Sequence, residues 1–227
     1  MSPHTIQFAN QHQAQLGHLT RYEDLPQTFR SLGLEYPRPV IVWIVGAGRV
    51  APQHAIAIRQ AADVISRVAA QSGAAVIDGG TQAGGMEAMG IACALRGYDF
   101  PLIGVAARGT VILPSSPQGG DRWNLDPNHT HFILVPGDQW GDETPWISQV
   151  ATQLAGALPS LTVLGNGGGI ARRDVATSLE SGRRVLVLKG TGRLADELAS
   201  DPPSDPLVFI LPVEDETRLE EALLGLL

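Results

Sequence analysis

Short apolar runs alternate with segments of helical spacing along most of the chain. Val40–Val45 (VIVWIV) is an unbroken apolar run rich in β-branched residues, the pattern of a strand covered on both faces. Residues 55–71 then place apolar side chains at Ile58, Ala62, Ile65 and Val68, which is helical spacing. The alternation continues, predicting further strands at 74–77, 102–105, 132–135, 161–164, 184–188 and 208–211. Helices are predicted at 86–96, 145–154, 172–181, 194–199 and 215–226, and residues 200–206 (SDPPSDP) read as a surface turn. Residues 107–130 read as a long loop with a brief strand at 110–113, and a loop of that length inside a compact domain is often functional. Strands and helices alternating in this way predict an α/β fold, a doubly wound, mostly parallel sheet of about seven strands with helices on both faces.

The first 37 residues stand apart from this pattern. They form a polar preamble with Gln7, Gln11, Gln13 and Gln15, and a short helix is predicted at 25–34, before Pro37 and Pro39. The domain division is therefore an N-terminal extension over 1–37 and a ligand-binding domain over 38–227. No apolar stretch follows a basic start, and no run approaches the roughly 20 apolar residues of a membrane span, so a soluble cytoplasmic protein is expected. The single cysteine, Cys93, excludes an intrachain disulfide and a cysteine-rich zinc site. A net charge of −7 argues against a nucleic-acid binder that relies on a general basic surface.

Charged residues make up only 17%, below the usual share of about 25%, which with 44% hydrophobic residues excludes intrinsic disorder. The 26 glycines are in excess, and their positions matter more than their number. Four clusters each follow an apolar strand: Gly46-Ala47-Gly48-Arg49, the segment from Gly79, Gly80 and Thr81 to Gly84 and Gly85, then Gly165 to Gly169 including Gly167 and Gly168, and Gly190-Thr191-Gly192-Arg193. Parallel strands share a direction, so all four turns fall on the carboxyl edge of the sheet, where ligands of open α/β sheets bind. Glycine admits close backbone approach, and each turn leads into a helix start whose amides and dipole favour an anion, most often phosphate. Arg49, Arg193 and the nearby Arg172 and Arg173 supply forks suited to phosphate oxygens. A strand-to-helix turn also takes glycine merely to pack tightly, and one such turn is weak support; four on one edge are stronger. The third glycine of GxGxxG is missing from the first turn, and no GxxxxGK[ST] motif occurs.

The segments IVGAGRV, IDGGTQAGGMEAMG, IGVAARGTV, LDPNHTHFILVPGDQWGDE, VLGNGGGIARRDV and VLKGTGRLADELA resemble, in order, the SLOG superfamily. They are most similar to its prokaryotic branch related to the N-terminal ligand-sensing domain of melastatin-type TRP channels, over about residues 40–199. The resemblance implies a Rossmann-like sheet that senses a nucleotide-derived ligand of the ADP-ribose, NAD or cyclic ADP-ribose type, with no required cofactor. Carried onto this sequence, it places ligand contacts at Gly80 and Thr81, at Trp140 with Gly141 and Glu143, and at Arg193. Where the channel branch has an arginine soon after the aromatic, this chain reads Pro145-Trp146-Ile147, so a phosphate contact is either missing or supplied by Arg49 or Arg172. No channel segment is seen in these residues, so any output is expected to go to another protein.

A more distant branch, the cytokinin-activating (lysine-decarboxylase-like) phosphoribohydrolases, uses a glutamate in a PGGxGTxxE turn. The corresponding stretch here, Gly167 to Asp174, lacks that glutamate. Asp174 and Glu87 remain as candidate acids for an alternative reading as a nucleotide N-glycosidase. His129 and His131 invite a metal reading that would need Asp126 or Asp142 as a further ligand; a structural role for Asp126-Pro127-Asn128-His129 is preferred, and no metal is expected. Trp43 and Trp123 are expected to pack in the core, whereas Trp140, in a polar loop, is placed to stack on a base. The apolar face of the last helix (Leu219, Ala222, Leu223, Leu226) either covers the sheet or pairs in a homodimer.

Overall fold

The computed structural model describes residues 4–48, 50–114, 116 and 120–227. The chain begins with strands β1 (His4–Gln7) and β2 (Gln13–His18) and helix α1 (Leu25–Leu32). There follow β3 (Val40–Val45), α2 (Pro52–Ser72), β4 (Ala75–Asp78), α3 (Gly84–Leu95) and β5 (Leu102–Ala107). Two short strands, β6 (Val111–Ile112) and β7 (Trp123–Asn124), precede β8 (His131–Val135) and α4 (Thr144–Ala155). The chain ends with β9 (Ser160–Gly165), α5 (Gly169–Glu180), β10 (Arg184–Lys189), α6 (Arg193–Ser200), β11 (Val208–Pro212) and α7 (Glu216–Leu226).

Nine strands form one sheet in the order β1-β2-β8-β5-β4-β3-β9-β10-β11. All neighbours are parallel except β1 and β2. From β3 the chain winds outward through β4, β5 and β8, then returns to the other side of β3 for β9, β10 and β11. The strand order therefore reverses between β3 and β9, which makes this a Rossmann-like, doubly wound α/β fold.

Alternation along β3 sorts the two faces. Val40, Val42 and Ile44 pack with residues of α1, α4, α5 and α6, while Ile41 and Trp43 pack with those of α2, α3 and α7. Helix α2 opens with Pro52 at its first turn and stops at Gly73, whose φ of 70° supplies the left-handed cap. Leu219 and Leu223 of α7 are buried in the second cluster, so that helix face is covered within the chain.

The seven predicted strands are all present. The two others come from the polar preamble, where sequence analysis foresaw no strand. Residues Gln15 to His18 pair in parallel with His131 to Leu134, so β2 extends the sheet past β8. Its inward residues Ala14 and Leu16 join Phe8 against Phe132 and Leu134. Leu16 and Phe29 are completely buried, each worth roughly 1.5–3 kcal/mol, so from His4 onward the extension is packed as part of the sheet. The long loop also has structure: β6 and β7 pair in parallel, and Gln82 donates its amide to Asn124 O at 2.8 Å, tying the loop to the second glycine turn.

Candidate functional site

A cavity of about 540 Å³ opens where the strand order reverses, walled by the carboxyl ends of β3 and β4 and by the starts of α4 and α5. Its size lies within the range of small-molecule pockets. Of the predicted residues, Gly46, Ala47, Gly48, Gly79, Thr81, Trp140, Glu143, Gly168, Gly169, Asp174 and Arg193 line it. Gly80, Gly84, Gly85, Gly141, Gly167, Arg172, Gly190, Thr191, Gly192 and Glu87 are not among the lining residues. Arg49 lies outside the described residues.

Part of the cavity lining suits an anion. Helix α5 starts at Gly169 with no side chain capping its first amides, and Gly168, Gly169, Ile170 and Ala171 all face the cavity. The Arg193 guanidinium lies against Gly168, where a Cβ would collide with it, and its Nη1 donates to Gly48 O at 3.5 Å. Arg193 thus reaches from the fourth turn across the first and third. Its backbone has φ 51°, a left-handed conformation that costs a non-glycine residue roughly 1–2 kcal/mol.

The fourth and second turns are largely occupied with themselves. In the fourth, Gly190 N and Gly192 N donate to the Asp196 carboxylate at 2.6 and 3.1 Å, so their amides are taken. Thr191 is fully buried; its hydroxyl donates to Leu188 O and accepts from Asn166 N, and its carbonyl accepts from Asn166 Nδ2. The fourth turn therefore braces the third rather than facing the cavity. In the second turn, Gly80 has φ 67°, and a Cβ there would come within 2.7 Å of Gly104 Cα. Gly85 N donates to Gly46 O at 3.3 Å and Gly85 O accepts from Trp43 Nε1 at 3.0 Å, seating α3 beneath the first turn. Arg172 is exposed and pairs with Glu197 at 2.7 Å, and Glu87 is half-buried on α3.

The same cavity carries carboxyls. Both oxygens of Glu143 accept from Gly141 N, at 3.1 and 3.0 Å. Asp174 Oδ1 accepts from Thr144 Oγ1 at 2.5 Å. Burial pushes the Glu143 carboxyl above its usual range. Burial also pushes Asp174 up to about 6, and the neighbouring Glu143 charge adds to the rise, while the Thr144 hydrogen bond and Arg173 oppose it. Asp121 and Trp123 of the long loop complete the wall, and Trp123 is 42% exposed rather than packed in the core. Sequence reasoning missed both; the only available signal was the unusual length of the loop. Trp43 is buried on the floor as expected.

Beneath the second turn lies a buried charge network. His129 Nδ1 is 3.0 Å from Asp126 Oδ1 and Nε2 is 2.8 Å from Asp78 Oδ1. Although burial alone would lower it, the two carboxylates hold His129 up to about 10, so it is an imidazolium. His131, two residues on, has a different environment: burial and Arg38 push it down to about 4. Among the described residues no group of three His, Cys, Asp or Glu could hold a metal ion, and none of the helices is long and apolar enough to cross a membrane.

Comparison with known proteins agrees with this architecture. The family model described as SLOG in TRPM, prokaryote, matches residues 38–220. Transient receptor potential cation channel subfamily M member 2 of Rattus norvegicus is 27% identical over 187 residues, covering 66% of this chain and 12% of the channel subunit. The Mus musculus counterpart is 27% identical over 188 residues with the same coverage, so the chain spans only about an eighth of these relatives. Among solved structures, the molybdenum cofactor carrier protein of Chlamydomonas reinhardtii superposes with a TM-score of 0.57 at 14% identity, over 83% of this chain and 99% of that one. The molybdenum cofactor binding protein of Rippkaea orientalis gives 0.53 at 17% identity, over 82% and 97%. At such identities these two structures share the fold, while the family match spans most of the sequence: the chain belongs to the prokaryotic SLOG-in-TRPM family.

Proposed function

We propose that this chain is a binding domain that senses a nucleotide-derived ligand of the ADP-ribose, NAD or cyclic ADP-ribose type. One observation carries the reading: the uncapped start of α5 and the Arg193 guanidinium share a cavity with two tryptophans, Trp123 and Trp140. Amides at a helix start and an arginine fork suit phosphate, and the indole faces suit a base. On this reading the domain works in the cytoplasm, needs no cofactor, and passes its signal to a protein partner or through a homodimer. The test is thermal unfolding with saturating ADP-ribose, NAD, cyclic ADP-ribose and AMP. Ligand at about 100 times its Kd should add about 2.7 kcal/mol of stability. An unchanged melting temperature with all four would remove the proposal.

A second reading, nucleotide N-glycosidase, draws on Asp174. It is a cavity carboxyl raised toward neutrality, the property a general acid needs. Glu87, the other candidate acid, is not among the cavity residues. Release of free base from nucleoside monophosphates or NAD, abolished by Asp174→Asn, would favour this reading. Absence of base release would leave the sensor.

A further inference from the structure

The cavity is lined by groups of both signs. The start of α5 and Arg193 line it together with Glu143, the N-cap of α4, and Asp174, on the second turn of α5. The two carboxyls are close enough for the charge of Glu143 to act on Asp174. Arg173 acts on both through its charge, and among the described residues backbone amides and Thr144 supply their hydrogen bonds. Glu143 takes the single Gly141 N–H across both oxygens, and Asp174 takes Thr144 on Oδ1. A carboxylate pair has about eight lone-pair positions, more than these hydrogen bonds occupy. Asp121 adds a third carboxylate on the loop side. A phosphate placed against these carboxyls would meet like charge, whereas neighbouring hydroxyls would meet acceptors.

We infer that Glu143 and Asp174 read the adjacent hydroxyls of a ribose, with the ligand's phosphate turned toward Arg193 and the start of α5. This rests on the nucleotide-binding reading and adds a direction and a specificity to it. The ligand class becomes a ribosyl phosphate whose 2′- and 3′-hydroxyls are both free. Analogues lacking them leave two carboxyls facing the cavity without donors, and a charged group left without its hydrogen bond costs more than the bond itself returns.

Calorimetric titration of the whole chain with AMP and ADP-ribose, each beside its analogue lacking the ribose hydroxyls, tests this. The parent compounds should bind about tenfold or more tightly than their deoxy analogues, the effect of losing hydrogen bonds to charged acceptors. In Asp174→Asn and Glu143→Gln that ratio should collapse toward one. In Arg193→Ala both forms should weaken together with the ratio preserved. Equal affinity of wild-type protein for parent and deoxy ligand overturns the inference and leaves phosphate binding standing. If neither ligand pair nor NAD binds at all, the nucleotide reading itself falls and this inference with it. The wild-type comparison decides the matter even if a variant fails to fold.

Discussion

His129 Nε2 stands 2.8 Å from Asp78 Oδ1, with both side chains removed from solvent. Asp78 Oδ1 also accepts from Gly80 N at 2.7 Å, and Asp126, on the other side of His129, donates its amide to Gly80 O at 2.9 Å. The imidazolium therefore fixes the turn that carries Gly79 and Thr81 into the cavity. Replacing it leaves two buried carboxylates unpaired, so His129→Gln should destabilise the protein by about 3–5 kcal/mol in denaturant titration. Because its folded pKa of about 10 lies above the ordinary 6.5, its contribution is complete below pH 6.5 and is lost as pH rises toward 10. A wild-type stability curve flat between pH 7 and 10 would contradict that assignment.

Arg193 combines a strained backbone with a place in the cavity wall. Glycine adopts φ 51° without penalty, so Arg193→Gly should leave the melting temperature unchanged or slightly raised. The same change removes the cavity's guanidinium, and affinity for a phosphate ligand should fall about tenfold to a hundredfold, the worth of a charge-assisted hydrogen bond. Retained affinity would place the phosphate elsewhere.

Asp174 should make stability fall with rising pH. Its folded value of about 6 exceeds the ordinary carboxylate value, so the folded state holds the proton longer than the unfolded chain does. Stability attributable to this group is full below about pH 4 and is lost as pH rises through 6. Asp174→Asn removes that loss, and the variant should exceed wild type by about 1–3 kcal/mol at pH 7. A variant equally stable at pH 5 and relatively weaker at pH 7 would refute the sign.

Trp123 and Trp140 both wall the cavity, Trp123 well exposed on the loop strand. Trp123→Ala should therefore alter stability by less than about 1 kcal/mol, in keeping with a surface site. Base stacking is worth about 1–3 kcal/mol, so the affinity for a purine nucleotide should drop at least fivefold while that for ribose 5-phosphate stays level. Equal losses for both ligands would show that the indole does not meet the base.

Local pattern carried most of the architecture. The β-branched run from Val40 to Val45 carried the pattern of a strand buried on both faces, and Ile58, Ala62, Ile65 and Val68 the spacing of one helix face. Strand β2 escaped notice because its sequence, QAQLGH, buries Ala14 and Leu16 between polar residues, and only a parallel partner at β8 makes that alternation a strand. A short segment of this kind has too little apolar surface to declare itself without the neighbour that covers it.

The sequence by itself determined that four glycine turns follow parallel strands and so share the carboxyl edge, because strand direction is implied by the helices between them. It could not rank the turns, since glycine serves packing and ligand approach alike. Tertiary structure decided that: the first and third turns and Arg193 face the cavity, while the amides of the fourth belong to Asp196 and Gly80 is pressed against Gly104. It also brought Glu143 and Asp174, thirty-one residues apart in sequence, to one wall, and carried Trp123 there on a loop. Such meetings depend on strand order and on which helix start lies beside which, quantities that no local spacing encodes.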